Sequence, residues 1–76
     1  MTMQEFDLLQ DIEKEETVLD NGIFLSTHHF EDTIFDTYQL GSFFVQFHYD
    51  LDGGDNTRII CFPDSNELFS FRNREN

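Results

Sequence analysis

The chain between residues 23 and 62 is divided into four short stretches by three turn-forming segments. These segments are Glu31-Asp32, Leu40-Gly41-Ser42 and Asp52-Gly53-Gly54-Asp55-Asn56. The stretches, residues 23–30, 33–40, 42–50 and 57–62, are rich in the aromatic and β-branched residues that favour strands. Strands joined by such short links pair with their sequence neighbours in antiparallel orientation. The sequence therefore predicts an antiparallel β-meander of three to four strands.

The segment before the strands has the pattern of one amphipathic helix. Thr2 and Glu5 have the spacing of a capping box, which predicts a helix start. Apolar residues then recur every three positions and form one stripe: Met3, Phe6, Leu9 and Ile12. We expect a helix over about residues 3–15, with a turn or C-cap at Asp20-Asn21-Gly22 before the first strand. The predicted fold class is α+β, with this N-terminal helix packed on the meander.

The size of the chain limits it to one small domain over residues 1–76, with a polar tail at about 72–76. A 76-residue chain buries only about 60% of its unfolded surface, which is enough for one core. Its single cysteine, Cys61, cannot form an internal disulfide, and this favours a reducing compartment. We also find no signal-peptide pattern and no long apolar run. The sequence predicts a cytoplasmic protein that does not bind membranes.

Charge narrows the range of partners. Sixteen Asp and Glu residues oppose four Lys and Arg residues, giving a net charge of −12. No basic residue occurs from Glu15 to Thr57, so the sequence offers no basic patch for direct binding to nucleic acid or anionic lipid. The charged partners that remain plausible are basic proteins and cations.

Three runs of sequence carry a resemblance to a known group: Leu19–Thr27, Tyr38–Tyr49 and Arg58–Phe62. Together they resemble short uncharacterised proteins of Bacteroidetes-type bacteria in which a helix precedes a meander of three or four strands. The matching positions are a glycine before the first strand and apolar strand residues. The resemblance implies the same fold class in a bacterial protein, and it implies no activity and no site residue.

Acidic and metal-ligating residues give no recognisable metal motif. The run Asp50–Asp55 begins like a calcium loop, but an EF-hand would need glycine at Asp55 and glutamate at Cys61. The transition-metal ligands that the chain offers are His28, His29, His48 and Cys61. Their spacing matches no zinc pattern, so a site would require convergence across strands. We predict a hairpin turn at residues 50–55 and no bound metal or cofactor.

The chain also lacks the motifs that indicate catalysis. It has no glycine-rich phosphate loop, nucleophile elbow or metalloprotease helix. Cys61 lies in the apolar run Ile59–Phe62, where a thiol typically packs without reacting. The sequence therefore predicts no catalytic residue, no enzyme activity and no small-molecule substrate.

The strand at residues 42–50 provides the candidate binding residues. Alternation places Phe43, Val45, Phe47 and Tyr49 on one face, which we expect the helix to cover. The other face carries Phe44 between polar neighbours, and we expect Phe44, Gln46 and His48 to contact a protein partner or a second copy. The alternative is that the segment around Leu68, Phe69 and Phe71 folds back over Phe44.

These residues lead to two hypotheses of function. The first is a non-enzymatic interaction or regulatory module that binds a protein partner through the aromatic-bearing sheet face. The second is a nucleic-acid mimic that inhibits a DNA- or RNA-binding protein. Duplex DNA has one charge per roughly 110 Å² of surface, whereas the carboxylates of this chain average one per about 300 Å². Mimicry therefore requires the acids to gather on one face.

Overall fold

A computed structural model describes residues 1–51 and 57–63 of the chain. Two helices, α1 (Met3–Asp7) and α2 (Asp11–Asn21), precede four strands. The strands are β1 (Ile23–Phe30), β2 (Thr33–Leu40), β3 (Phe43–Asp50) and β4 (Arg58–Phe62). Among the described residues they form one antiparallel sheet in the order β1-β2-β3-β4, whose edges are β1 and β4. The predicted α+β meander is confirmed.

The first two hairpins turn over two residues each. Phe30 pairs with Thr33 across Glu31-Asp32, and Leu40 pairs with Phe43 across Gly41-Ser42. The first turn residue has a positive φ in both, 54° at Glu31 and 64° at Gly41. Glycine adopts this conformation without cost, but a residue with a side chain is strained there. Glu31 therefore stores strain that Gly41 does not.

The helical segment differs from the prediction of one helix over residues 3–15. Leu8 and Leu9 donate to the carbonyls three residues before them, which closes α1 with a tight last turn. Gln10 is extended, and its N–H donates to the Glu13 carboxylate at 3.0 Å, which starts a second helix. The predicted helix ends at about residue 15, but α2 continues to Asn21.

The break has a geometrical reason in the core. Phe6 of α1 and Val18 of α2 are both fully buried. In a continuous helix, two residues twelve positions apart would point about 120° away from each other. Two short helices let both side chains reach the same core. The expected stripe is correspondingly wrong at Ile12, which is 67% exposed.

The core lies between the helices and one face of the sheet. Its buried members are Phe6, Val18, Leu40, Phe43, Val45 and Phe47. The Phe6 and Phe43 rings lie 5.7 Å apart between centroids. The apolar row predicted on β3 therefore lies under the helices. Its last member, Tyr49, is half-buried.

Gly22 fixes the junction between helix and sheet. Its N–H donates to the Val18 carbonyl at 2.7 Å, which caps α2. A Cβ at this position would lie 2.6 Å from the same oxygen, so only glycine fits without a shift. Of the turn or C-cap expected at residues 20–22, the structure has the C-cap, and the chain then enters β1 directly.

Candidate partner-binding face

The strand register defines the sheet face opposite the helices, which we call the open face because neither described helix lies on it, although Thr37, Gln46 and Phe62 of this face are buried. Paired residues share a face, so the partners of Phe44, Gln46 and His48 identify its other members. The open face consists of Ile23, Ser26, His28, Phe30, Thr33, Phe35, Thr37, Gln39, Phe44, Gln46, His48, Asp50, Arg58, Ile60 and Phe62. No helix of residues 1–51 lies on this face, because α1 and α2 cover the other. The alternative cover, the segment around Leu68, Phe69 and Phe71, lies outside the described residues.

A buried polar network occupies the middle of the open face. Gln46 is only 2% exposed, and its Nε2 donates to Thr37 Oγ1 at 3.0 Å. Gln46 Oε1 lies 2.7 Å from His48 Nε2. Since the amide oxygen can only accept, His48 Nε2 carries the proton and donates. The network joins β2 and β3 through the two strands' side chains.

The geometry changes the role of Gln46. We expected its side chain to hydrogen-bond a partner, but its oxygen is occupied by His48 and its amide group is bound to Thr37. Gln46 therefore positions the His48 ring and does not present its own polar atoms to solvent. Phe44 and His48 are each half-buried, so both retain accessible surface.

His48 is held as a neutral ring. Its ring packs edge-on against Phe35, with centroids 4.5 Å apart. Burial lowers the pKa of His48 below its ordinary value of 6.5, and the neighbouring Arg58 lowers it further. A shallow groove of about 230 Å³ opens beside the ring and is lined by Thr33, Phe35, His48, Tyr49, Asp50 and Arg58. The face thus presents a neutral, oriented imidazole beside an aromatic ring.

The possible metal ligands do not gather at one place. His28 and His48 both pair with Phe35 from opposite sides, so two strand spacings, roughly 10 Å, separate them. His29 pairs with Ile34, and Cys61 pairs with Val45, so both lie on the helix-covered face. In residues 1–51 and 57–63, no group of three or more His, Cys, Asp or Glu side chains could hold a metal ion. Most of the expected hairpin at 50–55 lies outside the described residues.

Cys61 belongs to the helix–sheet contact. Its Sγ donates to Asp7 Oδ1 at 3.7 Å, and Lys14 Nζ lies 4.0 Å from the same carboxylate oxygen. Burial raises the pKa of Cys61 to about 11, and the Asp7 carboxylate contributes. Because His48 lies on the other face, the two cannot act as nucleophile and base. Cys61 ties β4 to α1 as a protonated thiol.

Sequence reasoning missed a second candidate surface, at the β1 edge. Ile23, Phe24 and Leu25 are 64, 53 and 46% exposed, and Leu19 at the end of α2 is 63% exposed. The available signal was position: the first strand of a meander is an edge strand, and residues 23–30 contain no Lys, Arg, Asp, Glu or Pro. Natural edge strands usually carry such residues as protection against pairing.

No protein-family model, curated protein or solved structure matches this chain. The resemblance to short helix-plus-meander proteins of bacteria therefore remains an expectation. Among the described helices, none is both long enough and apolar enough to cross a membrane.

Proposed function

We propose that this chain is a non-enzymatic protein-interaction module that binds a partner through the open face. The observation that carries the proposal is the combination of Phe44 with the Gln46–His48–Thr37 network on a face that neither described helix covers. Aromatic anchors among oriented polar groups are typical of binding hot spots. A cytoplasmic location is part of the proposal and is supported by the single cysteine of the sequence, Cys61, which cannot form an internal disulfide.

The three predicted contact residues have distinct parts in this proposal. Phe44 supplies apolar area, flanked across the strands by Gln39 and Phe62. His48 supplies an oriented ring at the rim of the groove. Gln46 holds that ring in place through its hydrogen bond to His48 Nε2. A rigid, pre-organised face lowers the entropic cost of ordering side chains on binding.

The test compares Phe44→Asp with Ser42→Asp as a matched control. Ser42 is exposed in the adjacent turn, so the control adds the same charge a short distance away. Each protein is used to capture partners from the source cells, and its melting temperature is measured. We expect wild type and Ser42→Asp to capture the same protein and Phe44→Asp to lose it while remaining folded.

Two results would contradict the proposal. Capture that survives Phe44→Asp would place the interface elsewhere. Unfolding of Phe44→Asp while Ser42→Asp stays folded would show that Phe44 is a core residue.

The second candidate function, nucleic-acid mimicry, is favoured by one observation about the helices. The acids of α1 and α2 are all exposed, and they are Glu5, Asp7, Asp11, Glu13, Glu15, Glu16 and Asp20. The helix layer therefore gathers carboxylates on one side of the sheet. A captured nuclease, polymerase or repressor that is released by salt would support mimicry, since exposed charge pairs are screened. Capture that resists salt would support the open face.

A further inference from the structure

Exposed apolar side chains are concentrated along β1. Nine large hydrophobic residues are exposed in the described part of the chain, and three of them, Met1, Leu8 and Ile12, belong to the N-terminal helical region. The other six lie on β1 or beside its ends: Leu19, Ile23, Phe24, Leu25, Phe30 and Leu51. An apolar grouping of this kind on a monomer commonly marks a contact surface.

The two edges of the sheet differ in how they are protected. β4 has five residues, begins with the charged Arg58 and is followed at once by Pro63. β1 has eight residues and no charged residue or proline. Its register shift between Phe24 and Ser26 leaves a regular stretch from Ser26 to Phe30. β1 is therefore the edge at which another strand can pair.

The apolar residues form two clusters at opposite ends of β1. The entry cluster is Leu19, Ile23, Phe24 and Leu25, and the exit cluster is Phe30 and Leu51. Leu51 is held at the exit end because its N–H donates to the Asp32 carbonyl at 2.8 Å. An antiparallel pairing of β1 with itself brings the entry cluster of one copy towards the exit cluster of the other. The edge is thus self-complementary.

We propose that β1 pairs with β1 of a second copy, making a continuous eight-stranded sheet across a two-fold axis. Symmetric pairing of the regular stretch centres on His28 and places Ser26 opposite Phe30 and Thr27 opposite His29 of the second copy. The inference goes beyond the proposed function: the partner that it names is the chain itself, bound at the edge of the sheet rather than on its open face.

The available area is sufficient for a dimer. With about 200 Å² for each large side chain, the exposed fractions of the two clusters leave roughly 650 Å² per copy. Two copies could thus bury up to about 1,300 Å² from these side chains, within the range of specific interfaces. The main-chain groups on the outer side of β1 would add to this area.

Charge distinguishes a second copy from other occupants. Each copy carries a net charge of −12, so two copies repel each other, although the paired strands themselves are uncharged. Salt screens this repulsion and should strengthen the dimer. A cationic partner at the same edge would show the opposite dependence and bind more weakly in salt.

The experiment measures mass by light scattering coupled to gel filtration, for wild type, Leu25→Asp and Leu8→Asp. Leu25 is 46% exposed in the entry cluster, whereas Leu8 is 87% exposed on the helical side, so the two variants make the same change at different places. At about 100 μM protein, we expect wild type and Leu8→Asp to have twice the 9.0 kDa mass of the chain. We expect Leu25→Asp to be monomeric, with a dissociation constant raised at least tenfold, and salt to tighten the wild-type dimer.

Each alternative result overturns the proposal. A wild type that stays monomeric at high salt excludes the dimer, and a dimer unaffected by Leu25→Asp excludes the β1 edge. Circular dichroism of both variants shows whether the sheet is intact, and Leu25→Ser replaces Leu25→Asp if the latter unfolds. A result that excludes the dimer would not contradict binding through the open face, because the capture experiment tests Phe44 and this experiment does not.

Discussion

Replacing Phe6 by alanine should remove a large part of the stability of this domain. Phe6 is fully buried, its ring contacts Phe43, and Lys14 Nζ lies 5.8 Å from its ring centroid. Phe→Ala in a core typically costs about 3–5 kcal/mol. A chain of this length has a total stability of about 4–11 kcal/mol. We therefore expect Phe6→Ala to lower the free energy of unfolding by about half.

The assay is urea unfolding followed by circular dichroism, supported by thermal melting. A loss of 3–5 kcal/mol corresponds to a fall in Tm of roughly 15–30 °C for a small domain. The matched control is Ile12→Ala, because Ile12 occupies the same predicted stripe but is 67% exposed. We expect Ile12→Ala to change stability by less than about 0.5 kcal/mol.

Large costs of equal size for the two variants would refute the predicted difference between Phe6 and Ile12. They would mean that Phe6 and Ile12 lie on the same buried stripe of a continuous helix, and that the break at Gln10 is absent. A small cost for both would mean that α1 does not dock on the sheet at all.

Two further predictions concern pH and backbone strain. The pKa of His48 is lowered in the folded protein, so the unfolded chain binds its proton first, and stability should fall as the pH drops below about 6.5. Urea midpoints at pH 7.5 and 5.5 should show a smaller pH dependence for His48→Gln than for wild type, and an equal dependence would contradict the burial of this ring. Glu31→Gly should stabilise the protein by about 1 kcal/mol by relieving its positive φ, whereas Gly41→Ala at the equivalent turn position should destabilise it by a similar amount. Opposite shifts in Tm check this pair, and shifts of the same sign would show that φ is not the cause.

The sheet was predictable because its signals are local. Alternation in β3 and the turns around Glu31 and Gly41 identify the strands, and short links leave only neighbour pairing. The helical break was not predictable from the apolar spacing, which continues through Leu9 to Ile12. It depends on where Phe6 and Val18 must meet the sheet, which is a tertiary requirement.

The sequence predicted on which face of the sheet the candidate site lies, but not the contacts of its side chains. Alternation correctly separates Phe44, Gln46 and His48 from the row under the helices. It cannot show that the Gln46 amide is already hydrogen-bonded, because this depends on pairing Gln46 with Thr37 across the strands. The register that brings these two side chains together is set by the β2–β3 hairpin, so it cannot be read from the sequence of one strand.

The meander order has a consequence for the way in which this chain folds. Each of the four described strands pairs with its sequence neighbour, so the β2–β3 hairpin can form after closing a loop of only two residues. Hairpins of this kind form in about 1–10 μs. The distant contacts are those of α1, such as Phe6 with Phe43 and Asp7 with Cys61, which join residues 37 and 54 positions apart. Since loop-closure entropy delays such contacts, we expect the hairpins to form first and α1 to dock last. Substitutions at Phe6 should then speed unfolding more than they slow folding.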